Sequence, residues 1–355
     1  MVHVWVIPPD EADADMFHTP RDPWAWGSAF WNVVARRLSA EGYEIDTIQR
    51  ASGPPAADSL YLVMNVPQAL RKRTTSSFSK RIRHTRRMLT WPYYALVPRL
   101  LAKGLGPRMA LMLFEPACVI PDNFDTALHA RFGAVLTWSD DLIARGPPYY
   151  RFRFPYLVKS APLPGPAFEE RKLLAAFMAN KTSTHPLELY SARRDVLAYM
   201  QAHAPVDFDL YGAKWSTAEA CWRGYVDDKH AAYSRYRFGL CYENMRDTPG
   251  YVTEKIFDCL AAGSVPVYWG APNIADYVDP DTFIDRRQFA SIPDLIAYLR
   301  SVTQERWEAY REAGQRYLAS GRLDEFGPER AADNLLPALQ QLGQTGATRV
   351  RASGG

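Results

Sequence analysis

A lysine in the first turn of a predicted helix is the residue whose position points most directly to chemistry. The segment GYVTEKIFDCLAAG predicts a helix over residues 254–262, with Thr253 as its N-cap. Lys255 falls in the first turn, where the helix dipole disfavours a cation by about 0.3–1 kcal/mol. The position becomes favourable when an anion binds the exposed backbone N–H groups. With Tyr251 and Glu254 beside it, Lys255 predicts a nucleotide-diphosphate site, and an ordinary surface lysine is the alternative.

A carboxylate at the end of an apolar strand is the second residue in a position suited to chemistry. Residues 109–114 predict a buried strand, and Glu115 follows it directly, before Pro116. Ligands of α/β folds bind at the carboxyl edge of the sheet. Partial desolvation there raises the pKa of a carboxylate, so that it can take a proton from a hydroxyl. Glu115 is therefore the candidate general base, with a structural glutamate as the alternative.

Strands and helices alternate along the chain and must hold these residues in place. The first half predicts a basic helix over 69–104, a helix over 24–40, and strands over 3–7, 42–48, 60–66, 109–114 and 133–137. The second half predicts helices over 191–202, 292–301 and 304–319, and strands over 173–180, 208–212, 238–242 and 265–269. Such alternation is typical of parallel sheets with helices on both faces.

The length and composition indicate two folded domains. A chain of 355 residues suffices for two ordinary domains, and 47% hydrophobic with 23% charged residues excludes a disordered protein. The proline-rich segment 155–168 predicts the linker between them. We expect an N-terminal domain over 1–160, a C-terminal domain over 161–343, and a flexible polar tail over 344–355.

Two adjoining segments of the second half form the most specific pattern in the sequence. YRFGLCYEN, which ends at Asn244, stands just before GYVTEKIFDCLAAGSVPVYWGAP. This pair resembles the signature of the α1,3/4-fucosyltransferase family, glycosyltransferase family 10. The sequence lacks the amino-terminal membrane anchor of animal members, and in this it resembles the soluble bacterial branch of the family. DLYGAKW, GYVDDK, FEPACVIPDNFD and VLTWSDDL are similar to further family segments, so the likeness runs over residues 26–317. It implies two Rossmann-like domains facing across a cleft, the GT-B type, with the acceptor in the first domain and the donor in the second.

The resemblance also implies a role for each residue of the donor site. Arg193 and Lys255 would neutralise the diphosphate of GDP-fucose, and Tyr251 would donate its hydroxyl to it. Glu254 would accept hydrogen bonds from the ribose hydroxyls, and Asn244 would help to position the nucleotide.

Two of these assignments have neighbours or departures that leave alternatives open. Arg193 is preferred to Arg194 because it stands three residues before the apolar Val196, as the family's helix arginine does before its own apolar residue. An ordinary pair of helix-surface arginines is the alternative. The family's base opens a glutamate-serine-proline motif, whereas Glu115 is followed by Pro116 and alanine.

The activity implied by the resemblance is an inverting fucosyl transfer. L-Fucose would move from GDP-fucose to a hydroxyl of N-acetylglucosamine, or of glucose, in a glycan or glycolipid acceptor, and give an α1,3 or α1,4 fucoside. A transferase of the same fold with another GDP-deoxysugar is one alternative. The other is a non-catalytic basic protein that binds membranes or nucleic acid.

The charge of the chain is unevenly distributed. The formal net charge is +3, yet residues 60–114 contain eleven lysines and arginines and no acidic residue. The densest part, 71–87, fits a solvated helix face or a contact with an anionic membrane surface, and we do not expect nucleic acid as a partner.

No essential metal or cofactor is expected. Asp140-Asp141 and Asp227-Asp228 are the pairs of adjacent aspartates in the sequence, and neither has the Asp-x-Asp spacing. Arg193 and Lys255 already supply the positive charge that a divalent ion would bring, so such an ion would at most stimulate. The four cysteines lack metal-site spacing, and the sequence shows no signal peptide and no apolar run of 18 residues, so we predict a cytoplasmic protein that is at most peripheral at a membrane.

Overall fold

The chain forms two compact units. The computed structural model describes residues 1–8, 17, 28–53, 55–56, 58–71, 95–157 and 165–352. One unit combines Met1–Arg153 with Pro328–Gly355, and the other is Phe154–Gly327. The basic run 71–87 lies outside the described residues except for Arg71, so its predicted role stays a prediction.

The first unit is built on a six-stranded parallel sheet with the strand order β2-β1-β3-β4-β5-β6. Its central strands are buried along their whole length, as apolar runs such as MALML require when helices cover both faces. The strands are β1 Val2–Ile7, β2 Tyr43–Thr47, β3 Leu60–Met64, β4 Met109–Leu113, β5 Ala134–Thr137 and β6 Tyr149–Arg151. Among the described residues before 153, the α-helices are α1 Ser28–Ala40, α2 Leu96–Ala102, α3 Thr126–His129 and α4 Asp140–Ile143.

The second unit is built on a five-stranded parallel sheet with the order β11-β10-β9-β7-β8. The strands are β7 Lys172–Phe177, β8 Phe208–Tyr211, β9 Tyr236–Tyr242, β10 Val265–Trp269 and β11 Ile284–Asp285. Its helices are α5 Tyr190–His203, α6 Lys229–Tyr233, α7 Glu254–Ala261, α8 Ile292–Ser301 and α9 Gln304–Ala319. Strand β9 pairs with β7 on one side and β10 on the other, so it is the centre of the sheet.

The predicted α/β class with parallel sheets is confirmed. Strand β10 and helices α8 and α9 have the predicted bounds, and most other elements differ from the prediction by a few residues at their ends. The basic helix predicted over 69–104 can be compared only in part, because residues 72–94 lie outside the description; α2 covers Leu96–Ala102. Strands β6 and β11 were not predicted, because two or three residues are too few to show a period.

The predicted domain limits need one correction, which concerns the helix α10, Pro328–Ala352. Residues 328–343 were predicted to belong to the second domain and residues 344–355 to a flexible tail, but α10 belongs to the first unit. Its apolar residues recur at helical spacing and are buried. The Gln341 side-chain amide donates to the Gly133 carbonyl over 3.2 Å, next to β5. These apolar residues are Ala331, Leu335, Leu339 and Leu342.

None of the helices in the described part of the chain combines the length and apolar character needed to cross a bilayer.

We predict that Leu339→Ala lowers the free energy of unfolding by about 2–5 kcal/mol, because it removes a fully buried side chain and leaves a cavity. Gly343→Ala is the matched control in the same helix: a Cβ there meets nothing within 4 Å, and replacing a helical glycine stabilises by about 0.5–1 kcal/mol. Chemical denaturation checks both variants. A Leu339→Ala protein as stable as the wild type would contradict the packing of α10 described above.

Candidate functional site

A buried carboxylate fixes the start of helix α7. Glu243 follows β9 directly and has no solvent exposure. One of its oxygens accepts from the Thr253 N–H over 2.9 Å, and the other accepts from the Thr253 hydroxyl over 2.7 Å. Thr253 is the N-cap residue, as predicted, but its side chain does not cap the helix. The hydroxyl instead binds the end of the neighbouring strand, which fixes where the first turn begins.

Lys255 is held by two carboxylates of the chain itself. Its Nζ lies 3.3 Å from Glu243 Oε2 and 3.3 Å from Glu254 Oε1, and it donates to Thr253 Oγ1 over 2.9 Å. Burial lowers the pKa of Lys255, but the negative charges of Glu243 and Glu254 outweigh this effect and raise it. The lysine therefore stays charged. The prediction that a bound anion makes a cation favourable in this turn needs a correction, because Glu243 and Glu254 already stabilise the charge of Lys255.

Arg193 lies beside Asn244, as the predicted donor site requires. Its guanidinium donates to the Tyr242 carbonyl over 2.6 Å and to Asn244 Oδ1 over 3.1 Å. The residue is 5% exposed. The neighbouring Arg194 donates to the Lys181 carbonyl over 2.6 Å. The two arginines are therefore not equivalent, and Arg193 is the one that reaches the end of β9.

Tyr251 is 1% exposed and sits in the loop that leads into α7. The residues before it, MRDTPG at 245–250, separate Asn244 from Tyr251, where the sequence differs from the usual family pattern. This segment is hydrogen-bonded to the rest of the chain near both of its ends. Arg246 N–H donates to the Leu187 carbonyl over 2.9 Å, and Gly250 N–H donates to Asn273 Oδ1 over 3.1 Å. Gly250 has φ +83°, a left-handed conformation that glycine adopts readily. The segment is thus a fixed turn in front of the helix.

A buried ion pair that was not predicted joins α6 to the same helix, α7. Lys229 Nζ lies 2.6 Å from Asp258 Oδ2, and His230 Nε2 lies 3.4 Å from Asp258 Oδ1. Burial raises the pKa of Glu254, but Lys255 and Lys229 together bring it below its usual value. The available signal was Asp258 itself, which is a charged residue on the buried face of an amphipathic helix.

The two aspartate pairs serve helix starts. Asp140 opens α4 and forms an ion pair with the buried Arg153 over 3.0 Å. Asp228 is the N-cap of α6, and its side chain accepts from the Ala231 N–H over 2.8 Å. Within the described ranges, no group of three or more His, Cys, Asp or Glu residues could hold a metal ion.

Glu115 lies in the first unit, just past the end of β4, and is partly buried. Its N–H donates to Asn65 Oδ1 over 2.9 Å, and its carbonyl accepts from Asn123 Nδ2 over 2.8 Å. Neither asparagine was singled out from the sequence. The predicted site residues therefore fall into two groups: Glu115 stands on the sheet of the first unit, and the other five gather around the start of α7 in the second. Those five are Arg193, Asn244, Tyr251, Glu254 and Lys255.

We predict that Asp258→Asn lowers the free energy of unfolding at pH 7 by about 3–5 kcal/mol, because it leaves the Lys229 ammonium buried without its partner. Burial raises the pKa of Asp258, but Lys229 and His230 outweigh it and lower the pKa. The stabilisation is therefore present above the pKa of an unfolded aspartate, roughly 4, and is lost as the pH falls through the lower folded value.

The difference in Tm between wild type and Asp258→Asn should accordingly shrink below about pH 4. Asp207→Asn is the matched control, because it breaks an exposed ion pair of similar length, 2.7 Å to Arg300. We expect less than about 1 kcal/mol from that change. Equal effects of the two variants would contradict a special role for the buried pair.

Comparison with known families matches the second unit. Residues 168–316 match the model described as glycosyltransferase family 10 (fucosyltransferase) C-term. The match covers less than half of the chain. It contains all five residues around the start of α7, and it does not contain Glu115.

Curated relatives are similar over short segments. An alpha-(1,4)-fucosyltransferase of Arabidopsis thaliana is 41% identical over 102 residues, which are 27% of this chain and 24% of the relative. A GDP-fucose protein O-fucosyltransferase 3 of Bos taurus is 31% identical over 118 residues, which are 30% of this chain and 24% of the relative. The chain thus spans about a quarter of the length of each of these relatives.

A solved structure extends the likeness of fold to both units. The crystal structure of an alpha1,3-fucosyltransferase with GDP aligns with a TM-score of 0.50 and 15% identity, over 96% of this chain and 90% of that chain. Together with the two parallel sheets, this alignment supports the predicted GT-B type of fold. In sequence, the second unit is similar to the C-terminal domain of family 10 glycosyltransferases.

Proposed function

We propose that this protein is a GDP-fucose-dependent fucosyltransferase that acts on a glycan or glycolipid with inversion at the anomeric carbon. The observation that carries the proposal is the arrangement around the start of α7. There Lys255 and Arg193 lie within the region that matches the fucosyltransferase family model. Both cations bind groups at the end of β9, the central strand of the sheet: Arg193 binds the Tyr242 carbonyl, and Lys255 binds the Glu243 carboxylate.

The charged groups at this helix start suit a diphosphate leaving group. Negative charge grows on the GDP oxygen as its bond to fucose breaks, and cations that are already in place stabilise it without reorganisation. Lys255 is charged in the resting protein, and the N-terminus of α7 adds its dipole. We propose that the diphosphate replaces part of the carboxylate contacts of Lys255. Glu254 would then accept from the ribose hydroxyls, Tyr251 would donate to the diphosphate, and Asn244 would help to place the nucleotide.

Glu115 is the proposed general base. The acceptor hydroxyl would attack the anomeric carbon from the side opposite the diphosphate and pass its proton to the Glu115 carboxylate. One displacement of a β-linked donor gives an α-fucoside, through an oxocarbenium-like transition state. No covalent enzyme intermediate is needed. The position of Glu115 at the carboxyl end of β4 supports this role, because ligands of open α/β sheets bind at that edge.

The proposed acceptor is N-acetylglucosamine, or glucose, within a glycan, with an α1,3 or α1,4 linkage. We propose that the reaction has no essential metal, since Lys255 and Arg193 would supply the positive charge that a divalent ion would otherwise bring to the diphosphate. Transfer from GDP-fucose to an N-acetyllactosamine panel, with product linkage determined by NMR, tests the proposal. A second GDP-deoxysugar and a serine- and threonine-containing polypeptide acceptor serve as competitors. Absence of transfer from GDP-fucose to the glycan panel, or transfer to the polypeptide alone, would refute it.

We predict that Glu115→Gln lowers kcat by about 10²–10⁴-fold, because the amide cannot take the hydroxyl proton. The Kd for GDP should stay within about twofold, as no contact of the proposed donor site is altered. Glu44→Gln is the control, since it changes the same residue type at an exposed position of the first unit. Turnover by Glu115→Gln at the wild-type rate would remove Glu115 from the mechanism.

We predict that Lys255→Ala and Arg193→Ala each raise the Kd for GDP by about 10- to 100-fold, as expected for the loss of a charged hydrogen bond. Arg194→Ala is the matched control on the same helix, because its guanidinium binds the Lys181 carbonyl instead. Isothermal titration calorimetry with GDP measures the Kd of all three variants. If Arg194→Ala raises the Kd for GDP more than Arg193→Ala does, the assignment of the two arginines is wrong.

A further inference from the structure

The backbone N–H and C=O groups of Phe114 and Glu115 form hydrogen bonds with buried side chains. The N–H groups of both residues donate to a single atom, Asn65 Oδ1, each over 2.9 Å. The Phe114 carbonyl accepts from Trp138 Nε1 over 2.9 Å, and the Glu115 carbonyl accepts from Asn123 Nδ2 over 2.8 Å. All four backbone polar groups past the end of β4 therefore have a partner in a fixed side chain.

These three side chains come from the ends of neighbouring elements in the first unit. Asn65 follows β3, Trp138 follows β5, and β4 pairs with both of these strands. Asn123 lies in the 3₁₀ turn Pro121–Phe124. Asn65 is 5% exposed, Trp138 1% and Asn123 0%, so water does not compete for these bonds. The arrangement ties the chain after β4 to the strands on either side of it.

The two asparagines also bind each other and are themselves fixed. Asn123 Nδ2 donates to Asn65 Oδ1 over 2.8 Å, and Asn123 Oδ1 accepts from the Val66 N–H over 2.8 Å. His129 Nε2 lies 2.9 Å from the Asn123 carbonyl oxygen, which it meets as a donor. Asn65 has φ +58°, a left-handed conformation that asparagine tolerates better than most residues. This turn places its amide against β4.

We infer that Asn65 and Asn123 are positioning residues that set the place of the Glu115 carboxylate for proton transfer. The inference rests on the proposed role of Glu115 as the base. A stable strand end needs only that its N–H and C=O groups are satisfied, and water can do this at a sheet edge. Here three buried side chains fix both residues instead. A displacement of a catalytic group by about 1 Å can lower the rate by about 10²-fold, so such rigidity has a direct use.

Asn65→Gly is the sharpest test, because glycine keeps the left-handed backbone and removes only the amide. We expect kcat to fall by about 10- to 100-fold, while the KM for GDP-fucose and the Kd for GDP stay within about twofold. Asn123→Ala should have an effect of the same size. Asn65→Asp should keep kcat within about threefold, since a carboxylate accepts the same N–H groups.

A second readout separates positioning from simple destabilisation. The added charge in Asn65→Asp should raise the pKa of the base and move the acid limb of the pH profile of kcat to higher pH. Val4→Ala is the stability control, as it opens a cavity in β1, which does not pair with β4. It should lower Tm and leave kcat unchanged.

The outcomes distinguish this inference from the proposed function. Wild-type turnover in Asn65→Gly, together with an inactive Glu115→Gln, overturns the inference alone. Wild-type turnover in Glu115→Gln overturns both the proposed base and the inference. If Asn65→Gly does not fold, Asn123→Ala decides: a fall in kcat with an unchanged Kd for GDP supports the inference, and a wild-type kcat overturns it.

Discussion

The second unit depends on one carboxylate that has no contact with solvent. Glu243 sits at the end of the central strand and accepts from the backbone and the hydroxyl of Thr253, while Lys255 balances its charge. A buried carboxylate is tolerated only when it is paired and hydrogen-bonded in this way. The strand end, the helix start and the lysine are therefore fixed relative to one another by a single group. The proposed donor site depends on this arrangement.

The same helix carries a second buried pair, and the two pairs act on each other. Lys229 binds Asp258 and also lowers the pKa of Glu254 from a distance, while Glu254 raises that of Lys255. Acids and bases alternate along the first two turns, so the charges nearly cancel in the resting protein. A diphosphate bound at the proposed donor site would meet cations that are ordered but already partnered. Its binding would exchange carboxylate contacts for phosphate contacts, which would favour a ligand with several anionic oxygens over one with a single anionic oxygen.

Local signals in the sequence predicted much of this architecture. The helix start at Glu254 and the strand Val265–Trp269 are each marked by residues next to them, and both were predicted correctly. Helix α10 was missed although its apolar residues recur at helical spacing, because Pro337 within it argues against a helix. Its place in the first unit could not be predicted, because that depends on packing next to a strand some 200 residues earlier. The Asn65–Asn123 contact was missed for the same reason. Two asparagines 58 residues apart show no pattern until the fold brings them together.

The return of α10 to the first unit also has a consequence for how the chain is made. The first unit contains segments on both sides of the second, so residues 154–327 are an insertion within it. During synthesis all strands of the second unit are made before α10, so its sheet can close while the first unit still lacks a layer of its core. The buried leucines of α10 are synthesised after every strand of both sheets, and they cover apolar surface of the first unit that is exposed until then. They are Leu335, Leu339 and Leu342. The unit that begins first along the chain is thus the last to be completed.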